Sequence, residues 1–513
     1  MTLFKKISTN SIIIFFALLI INIYAATFYF DHNDFMYSAA PQISGHLYTE
    51  LAFVQAPMSY WLWKFVGSVG GDGYSYLVMR VTSASLSFAA ILPWLSVVIK
   101  NQNSRILLLF TFAANYYSMR SGYEIANYSV VAFFTSIGLV LLTYKNTFKF
   151  FLSGIFLGIS VSFKINFSLF FFCAIIYILM FHHKKPIKLF LFTFGWFLGT
   201  LPVAYYIFTG FDDFVFFNIL FHSDITNAAR GLTTSSSLKD IAKDIIKFAT
   251  YHQILIFVVL LSFLLSNSPN YKLSTNLKMY LFQKSSTSWL VIIATCTSIA
   301  VAASPFIMFD QYLSYSSLLL CVLAAKLVDD MENKYRKPLS QVLIILFGFI
   351  LVFNTAVMMQ RDNAVQGHFS ARNYINELIA SESSGLLANH RCNRVMFTLS
   401  GSLALDTNIE LAKIAIGGPF WVGKGAYFSN EIKSKYNNRL KYYVDPIFYI
   451  ESEQPQYVML GYYKDFEPTL QAKFEDDFYN HNQSLGYIHK GQFEFLGKYI
   501  DIYENKLCNE TSN

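Results

Sequence analysis

The 513-residue chain is 54% apolar and only 14% charged, with a formal net charge of +7. Soluble globular chains carry roughly a quarter charged residues, so this balance excludes an ordinary soluble enzyme. The basic residues lie scattered in short loops, which excludes a nucleic-acid surface and marks them as orientation determinants.

Lys5 and Lys6 precede an apolar run from about Ile12 to Phe30. The run resembles a signal peptide, but it is long and has no small-residue cleavage site, so an uncleaved first span is expected. Further apolar runs predict a polytopic α-helical membrane protein of about eleven spans. They fall near 10–30, 75–99, 105–119, 124–143, 147–163, 165–182, 187–209, 252–267, 287–306, 310–329 and 339–359. Only Lys164-Ile165-Asn166 separates the fifth from the sixth. One helix through both would overrun a bilayer and bury a lysine, so two helices with a tight outer turn are predicted. With the N-terminus in the cytoplasm, the inner loops hold Lys100 and Arg105, Lys145 and Lys149, Lys184, Lys185 and Lys188, Lys272, Lys278 and Lys284, and Lys334, Arg336 and Lys337. This positive-inside bias, with an odd number of spans, puts everything after residue 360 outside.

The first outer loop, 31–66, sets Asp31, Asp34 and Glu50 beside an aromatic patch at the membrane. Other charges collect on the same face. Arg80 starts the second span, Arg120 and Glu124 flank the next outer turn, and Lys164 lies in the tight turn. Asp212, Asp213, His222 and Asp224 fall in the loop 210–251, and Asp310 opens the tenth span. A charge beside a span is costly unless it reaches water, a partner or a ligand. Their gathering points to an outer cavity, and no comparable set lies mid-membrane, where a transporter site is expected.

From about residue 362 the composition becomes that of a soluble domain. A helix at Asn373–Ala380, strands at Arg394–Thr398 and Gln456–Leu460, and a hairpin around Gly497 predict a small α/β extracytoplasmic domain, 361–513, after a membrane domain, 1–360. No nucleotide-binding fingerprint is present, so a sugar donor used outside the cytoplasm has to be lipid-linked. Cys173, Cys296 and Cys321 lie in apolar runs and read as packing residues. Cys392 and Cys508 can form a disulfide if this part faces an oxidising compartment.

Three stretches carry a resemblance: Asp31-His32-Asn33-Asp34-Phe35-Met36-Tyr37, Gly45-His46-Leu47-Tyr48-Thr49-Glu50 and Gln55-Ala56-Pro57. Together with Arg80 and the run Gly154-x-x-x-Gly158-x-x-x-Ser162-Phe163-Lys164, they resemble the GT-C superfamily of integral-membrane glycosyltransferases. Within it they look like the bacterial protein O-mannosyltransferase and lipid A aminoarabinose transferase group (glycosyltransferase family 39-like), over about residues 10–360. The resemblance implies inverting transfer from a polyprenyl-phosphate-linked sugar to a lipid, glycan or protein acceptor on the outer face of the bacterial cytoplasmic membrane. That chemistry needs a carboxylate to take the acceptor proton and cations to stabilise the departing phosphate. Asp34 is then expected as the base, with Asp31 as the second candidate. Arg80, Lys164 and Arg120 are expected on the donor phosphate, which Arg holds through paired hydrogen bonds. Glu50 is expected to orient the acceptor or hold a divalent metal. Tyr37, Tyr48, Gln55, Asp310 and Tyr312 are expected to line the cavity, and Pro57–Phe65 to lie in the membrane interface.

One departure matters. The family's Asp-Glu pair is Asn33-Asp34 here, and an Asn at the position expected to be catalytic cannot act as a base. Either Asp34 or Asp31 takes the role, or activity is lost. Each residue also has a plainer role open to it. Asp31, Asn33 and Asp34 all suit a helix N-cap, the arginines suit snorkelling anchors, and Tyr48, Tyr60, Trp61 and Trp63 suit an aromatic belt. The rival functions are a transporter or flippase for a lipid-linked sugar and a non-catalytic assembly subunit.

Overall fold

The computed structural model describes residues 8–220, 252–265, 286–303, 313–383, 393–413, 446–466 and 470–508, apart from positions 52, 72, 332 and 408, together with the helical positions 246 and 249. Among these residues, four helical stretches are long and apolar enough to cross a membrane: Thr9–Ala26, Ser75–Val97, Ile165–His182 and Asn333–Ser381. The pair Pro186–Gly199 and Leu201–Thr209, bent by 55°, adds a fifth if it is one span. Large apolar side chains such as Ile20, Phe190, Phe197, Phe349 and Phe353 stay exposed along these helices, as lipid-facing surfaces require. The chain is a multi-pass, mostly helical membrane protein with a small C-terminal sheet. It divides into two compact units.

The first unit comprises Met1–Ala26, Ser83–Tyr205 and Ser235–Gln360. Its helices are often shorter than the apolar runs, because polar and proline residues interrupt them. The run 105–119 breaks at Asn115, whose side chain accepts the amide of Ser118 at 3.1 Å and so caps a new helix, Tyr116–Tyr123. The run 75–99 breaks before Pro93, which sits at the start of Leu92–Val97. The expected division at Lys164 is present: Thr147–Phe163 ends there, and Leu169–His182 follows after one short turn.

The glycine run before Lys164 has a packing role. A Cβ on Gly154 would meet the Phe192 carbonyl oxygen at 2.1 Å, and one on Gly158 would meet that of Trp196 at 2.4 Å. Gly195 and Gly199 answer from the other helix, and Ser162 Oγ donates to the Gly199 carbonyl at 3.0 Å. Small residues at this spacing let two membrane helices touch backbone to backbone. The contact fixes the direction of Thr147–Phe163, and therefore where Lys164 emerges.

The second unit comprises Thr27–Thr82, Tyr206–Thr234 and Arg361–Asn513. The loop 31–66 thus belongs to the same compact unit as the C-terminal residues. The sheet has five strands, β1 (Asn393–Thr398), β2 (Glu410–Leu411), β3 (Pro455–Leu460), β4 (Tyr487–Phe495) and β5 (Lys498–Asn505), in the order β2-β1-β3-β5-β4. β1 pairs in parallel with β2 and β3, whereas β5 is antiparallel to β3 and β4. Leu496 and Gly497, both at positive φ, close the β4–β5 hairpin, as a two-residue turn demands. Met396, Val458, Met459 and Ile502 form its fully buried core. The expected helix at Asn373–Ala380 starts earlier, at Ala364. Asn363 accepts the Gln366 amide at 3.0 Å, and this cap outweighs the poor propensity of Gly367.

Cys508 is disulfide-bonded, while Cys173, Cys296 and Cys321 are free. Cys392 lies outside the described residues, as do His222, Asp224, Asp310 and Tyr312.

Candidate active site

The short helix His32–Tyr37 presents Asp34 at its third position. From there the carboxylate reaches back to the amide of Asp31 at 3.3 Å, the return half of a capping box. The plainer helix-start role foreseen for these acids is therefore real for Asp34, and it is not the only one. The same Oδ2 lies 2.6 Å from Arg80 Nη2 and accepts from the Tyr76 hydroxyl at 3.2 Å. Tyr76 and Arg80 stand one turn apart on Ser75–Ala89, so they share a face. Arg80 Nε and Nη2 donate to the Tyr76 hydroxyl at 3.0 and 2.8 Å, and Nη2 also donates to the Tyr29 carbonyl.

Asp34 is 0% and Arg80 1% exposed. Burying two charges is tolerable only with a direct pair and further hydrogen bonds, and both conditions are met. Asp31 is only half-buried, and the Tyr29 hydroxyl donates to its Oδ2 at 3.4 Å.

The frame around the pair is aromatic. The His368 ring stacks on Tyr76 with centroids 3.6 Å apart and planes at 12°. Its Nδ1 donates to the Ala364 carbonyl at 2.7 Å, and Nε2 meets Ser402 Oγ at 2.9 Å. Phe35 packs edge-on against Phe30 and Tyr462 at 4.9 and 5.0 Å. Burial first, then the charges of Asp31 and Asp34, push the Tyr462 phenol pKa up. Beyond the frame, Glu475 accepts the amides of Gly461 and Tyr463 at 3.0 and 2.9 Å and so braces the turn that carries Tyr462. Burial raises the Glu475 carboxyl to about 7.

The other expected residues of this unit lie in different surroundings. Glu50 is exposed and pairs with Lys413 at 2.5 Å, which lowers its pKa. Tyr48 is buried among Tyr206, Phe214 and Phe217, and its hydroxyl donates to the Gln55 carbonyl at 2.7 Å. Tyr37 is buried edge-on to Phe53. Pro57–Val69 forms a helix with Tyr60 and Trp63 buried and Trp61, Phe65 and Val69 exposed. Among the described residues, no group of three or more His, Cys, Asp or Glu converges as metal ligands. Glu50 offers a lysine-paired carboxylate with no such companions, so no step is derived through a metal.

Lys164 and Arg120 belong to the first unit. Lys164 is 8% exposed. It donates to the Tyr128 hydroxyl at 2.8 Å and lies 4.3 Å from that ring's centroid. Burial lowers the ammonium pKa to about 7, against the opposing pull of the Glu124 charge. Arg120 closes the helix Tyr116–Tyr123, and fully buried Glu124 is its C-cap.

Composition had pointed to Asp34 and Arg80 separately. Tyr76 and His368, which join and frame them, were missed. The i, i+4 spacing of Tyr76 and Arg80 was a usable signal; His368 gave none.

The structure aligns with the crystal structure of ArnT from Cupriavidus metallidurans over 96% of this chain and 98% of that one, with a TM-score of 0.60 and 11% identity. The chain has an ArnT-like fold. A weaker match is the oligosaccharyltransferase of Archaeoglobus fulgidus, with a TM-score of 0.44, 12% identity, and coverage of 88% and 70%. No protein-family model and no curated protein matches the sequence.

Proposed function

We propose that this protein is an inverting glycosyltransferase that moves a sugar from a polyprenyl-phosphate donor to a lipid, glycan or protein acceptor outside the bacterial cytoplasmic membrane. The observation that carries the proposal is the ArnT-like fold over nearly the whole chain; ArnT is a lipid A aminoarabinose transferase of the GT-C group. The fold is joined by acids in the loop where that chemistry requires them. About eleven spans, a cytoplasmic N-terminus and an outer C-terminal domain accompany the proposal. The disulfide at Cys508 supports the last point, because disulfides persist in oxidising compartments.

A general base must touch the acceptor hydroxyl. Asp34 has no exposed surface and its Oδ2 is held by Arg80 and Tyr76, so it serves as a positioning residue. Asp31 is part-exposed and tied to Asp34 through its own amide, and it takes the proton. Arg80 acts through Asp34 instead of on the phosphate. Within its own unit Lys164 is the donor-phosphate cation, with Arg120 as the second. Glu50 orients the acceptor from the loop's exposed side.

The test is sugar transfer by the purified protein in lipid nanodiscs, supplied with radiolabelled polyprenyl-phosphate sugars and an extract of bacterial envelope lipids and proteins. Label should pass to a lipid or protein fraction. Movement of the lipid-linked sugar across the bilayer without transfer, or inertness with every donor, would contradict the proposal.

A further inference from the structure

The four segments that build the Asp34 constellation continue past it and wall an open cleft of about 500 Å³. The loop carrying Asp34 supplies Gln42, and the helix carrying Tyr76 and Arg80 supplies Ser75. The helix carrying His368 supplies Arg372, Asn373 and Asn376, and the segment carrying Ser402 supplies Asp406.

The lining is polar but holds no excess charge. Asp406 accepts the Ser75 amide at 3.0 Å and its hydroxyl at 2.5 Å, so its charge serves the start of that helix. Arg372 Nε and Nη2 donate to Asn373 Oδ1 at 3.2 and 2.8 Å. Its Nη1 lies where a side chain on Gly73 would begin, 1.7 Å from an ideal Cβ, and Gly73 holds φ +102°. The arginine is thus seated by a glycine that no other residue replaces without strain. Gln42 Nε2 donates to the Thr407 carbonyl at 3.4 Å, while its buried Oε1 has no hydrogen-bond partner among the described residues.

Carboxamides offer donors and acceptors together, which matches hydroxyl groups better than phosphate or carboxylate. We propose that this cleft binds neutral sugar residues of a glycan acceptor, an inference that rests on the glycosyl-transfer function above. One rigid set of segments then holds both the reacting hydroxyl's base and the sugar behind it.

The test uses full-length protein in nanodiscs on an array of immobilised tri- to pentasaccharides of neutral hexoses and N-acetylhexosamines, with phosphorylated and uronic-acid counterparts. At least one neutral oligosaccharide should bind. The double substitution Asn373→Ala and Asn376→Ala, with unchanged thermal unfolding, should weaken binding about tenfold or more. Absence of neutral binding, preference for the anionic counterparts, or a double variant that binds normally would overturn the cleft. Sugar binding that depends on the two asparagines, without transfer from any donor, would uphold the cleft and overturn the glycosyltransferase reading; transfer unaffected by the double substitution would do the reverse.

Discussion

Arg80 and Lys164 are both cations with almost no exposed surface, and their surroundings differ sharply. Arg80 meets a carboxylate at 2.6 Å, a phenol through two nitrogens and a backbone carbonyl. Lys164 meets the Tyr128 phenol by hydroxyl and ring, and burial outweighs the pull of the Glu124 charge on its ammonium. Under the proposed function the first cation, held through Nε and Nη2, serves to position Asp34. The desolvation cost of the second is relieved, under the same proposal, when the donor phosphate binds. On that reading the ion-paired cation positions Asp34 and the phenol-bound one takes the donor phosphate.

Removing one member tests the first half of this contrast. Asp34→Ala leaves Arg80 buried without its carboxylate and should destabilise the protein by ~3–5 kcal/mol, read as a lower thermal midpoint in detergent. Replacing both residues with apolar ones should restore much of the loss. A variant as stable as wild type would show that the pair does not organise the unit.

Lys164→Met tests the second half. It should weaken polyprenyl-phosphate-sugar binding by roughly 10–100-fold while leaving the thermal midpoint unchanged or higher. Wild-type donor affinity should fall as pH rises through about 7, where the ammonium loses its proton; Lys164→Arg should remove that dependence. Unchanged affinity in the Met variant would place the phosphate elsewhere.

Glu475 gives a smaller effect. Its folded pKa of about 7 lies above the ordinary 4.5, so the folded state holds the proton more tightly. The stabilisation is complete below 4.5 and is lost as pH rises through 7. Glu475→Gln should flatten that decline, on the order of 1–3 kcal/mol. Thermal unfolding as a function of pH measures it, and a variant with the wild-type slope would assign the decline to another group.

Much of the scaffold was readable in the sequence. Lys164 divides two apolar runs because a lysine cannot stay mid-bilayer, and Gly497 marks the hairpin because its φ excludes most side chains. Interruptions by single residues were harder: Asn115 ends a helix that the apolar pattern alone continues, and Pro93 starts a new one within the run 75–99. At the candidate site, Asp31, Asp34 and Arg80 were visible as residue types beside a membrane. Their arrangement was not, because it depends on contacts distant in sequence, such as His368 on Tyr76 and Tyr462 on Phe35. The preference for Asp31 over Asp34 as the base comes from burial, which composition does not report.

The most direct measurement is the steady-state sugar-transfer rate of Asp31→Asn, with donor affinity measured in parallel. If Asp31 takes the acceptor proton, kcat falls about 10²–10⁴-fold, while donor binding and the thermal midpoint stay at wild-type values. An Asp31→Asn protein that transfers sugar at the wild-type rate would contradict the account.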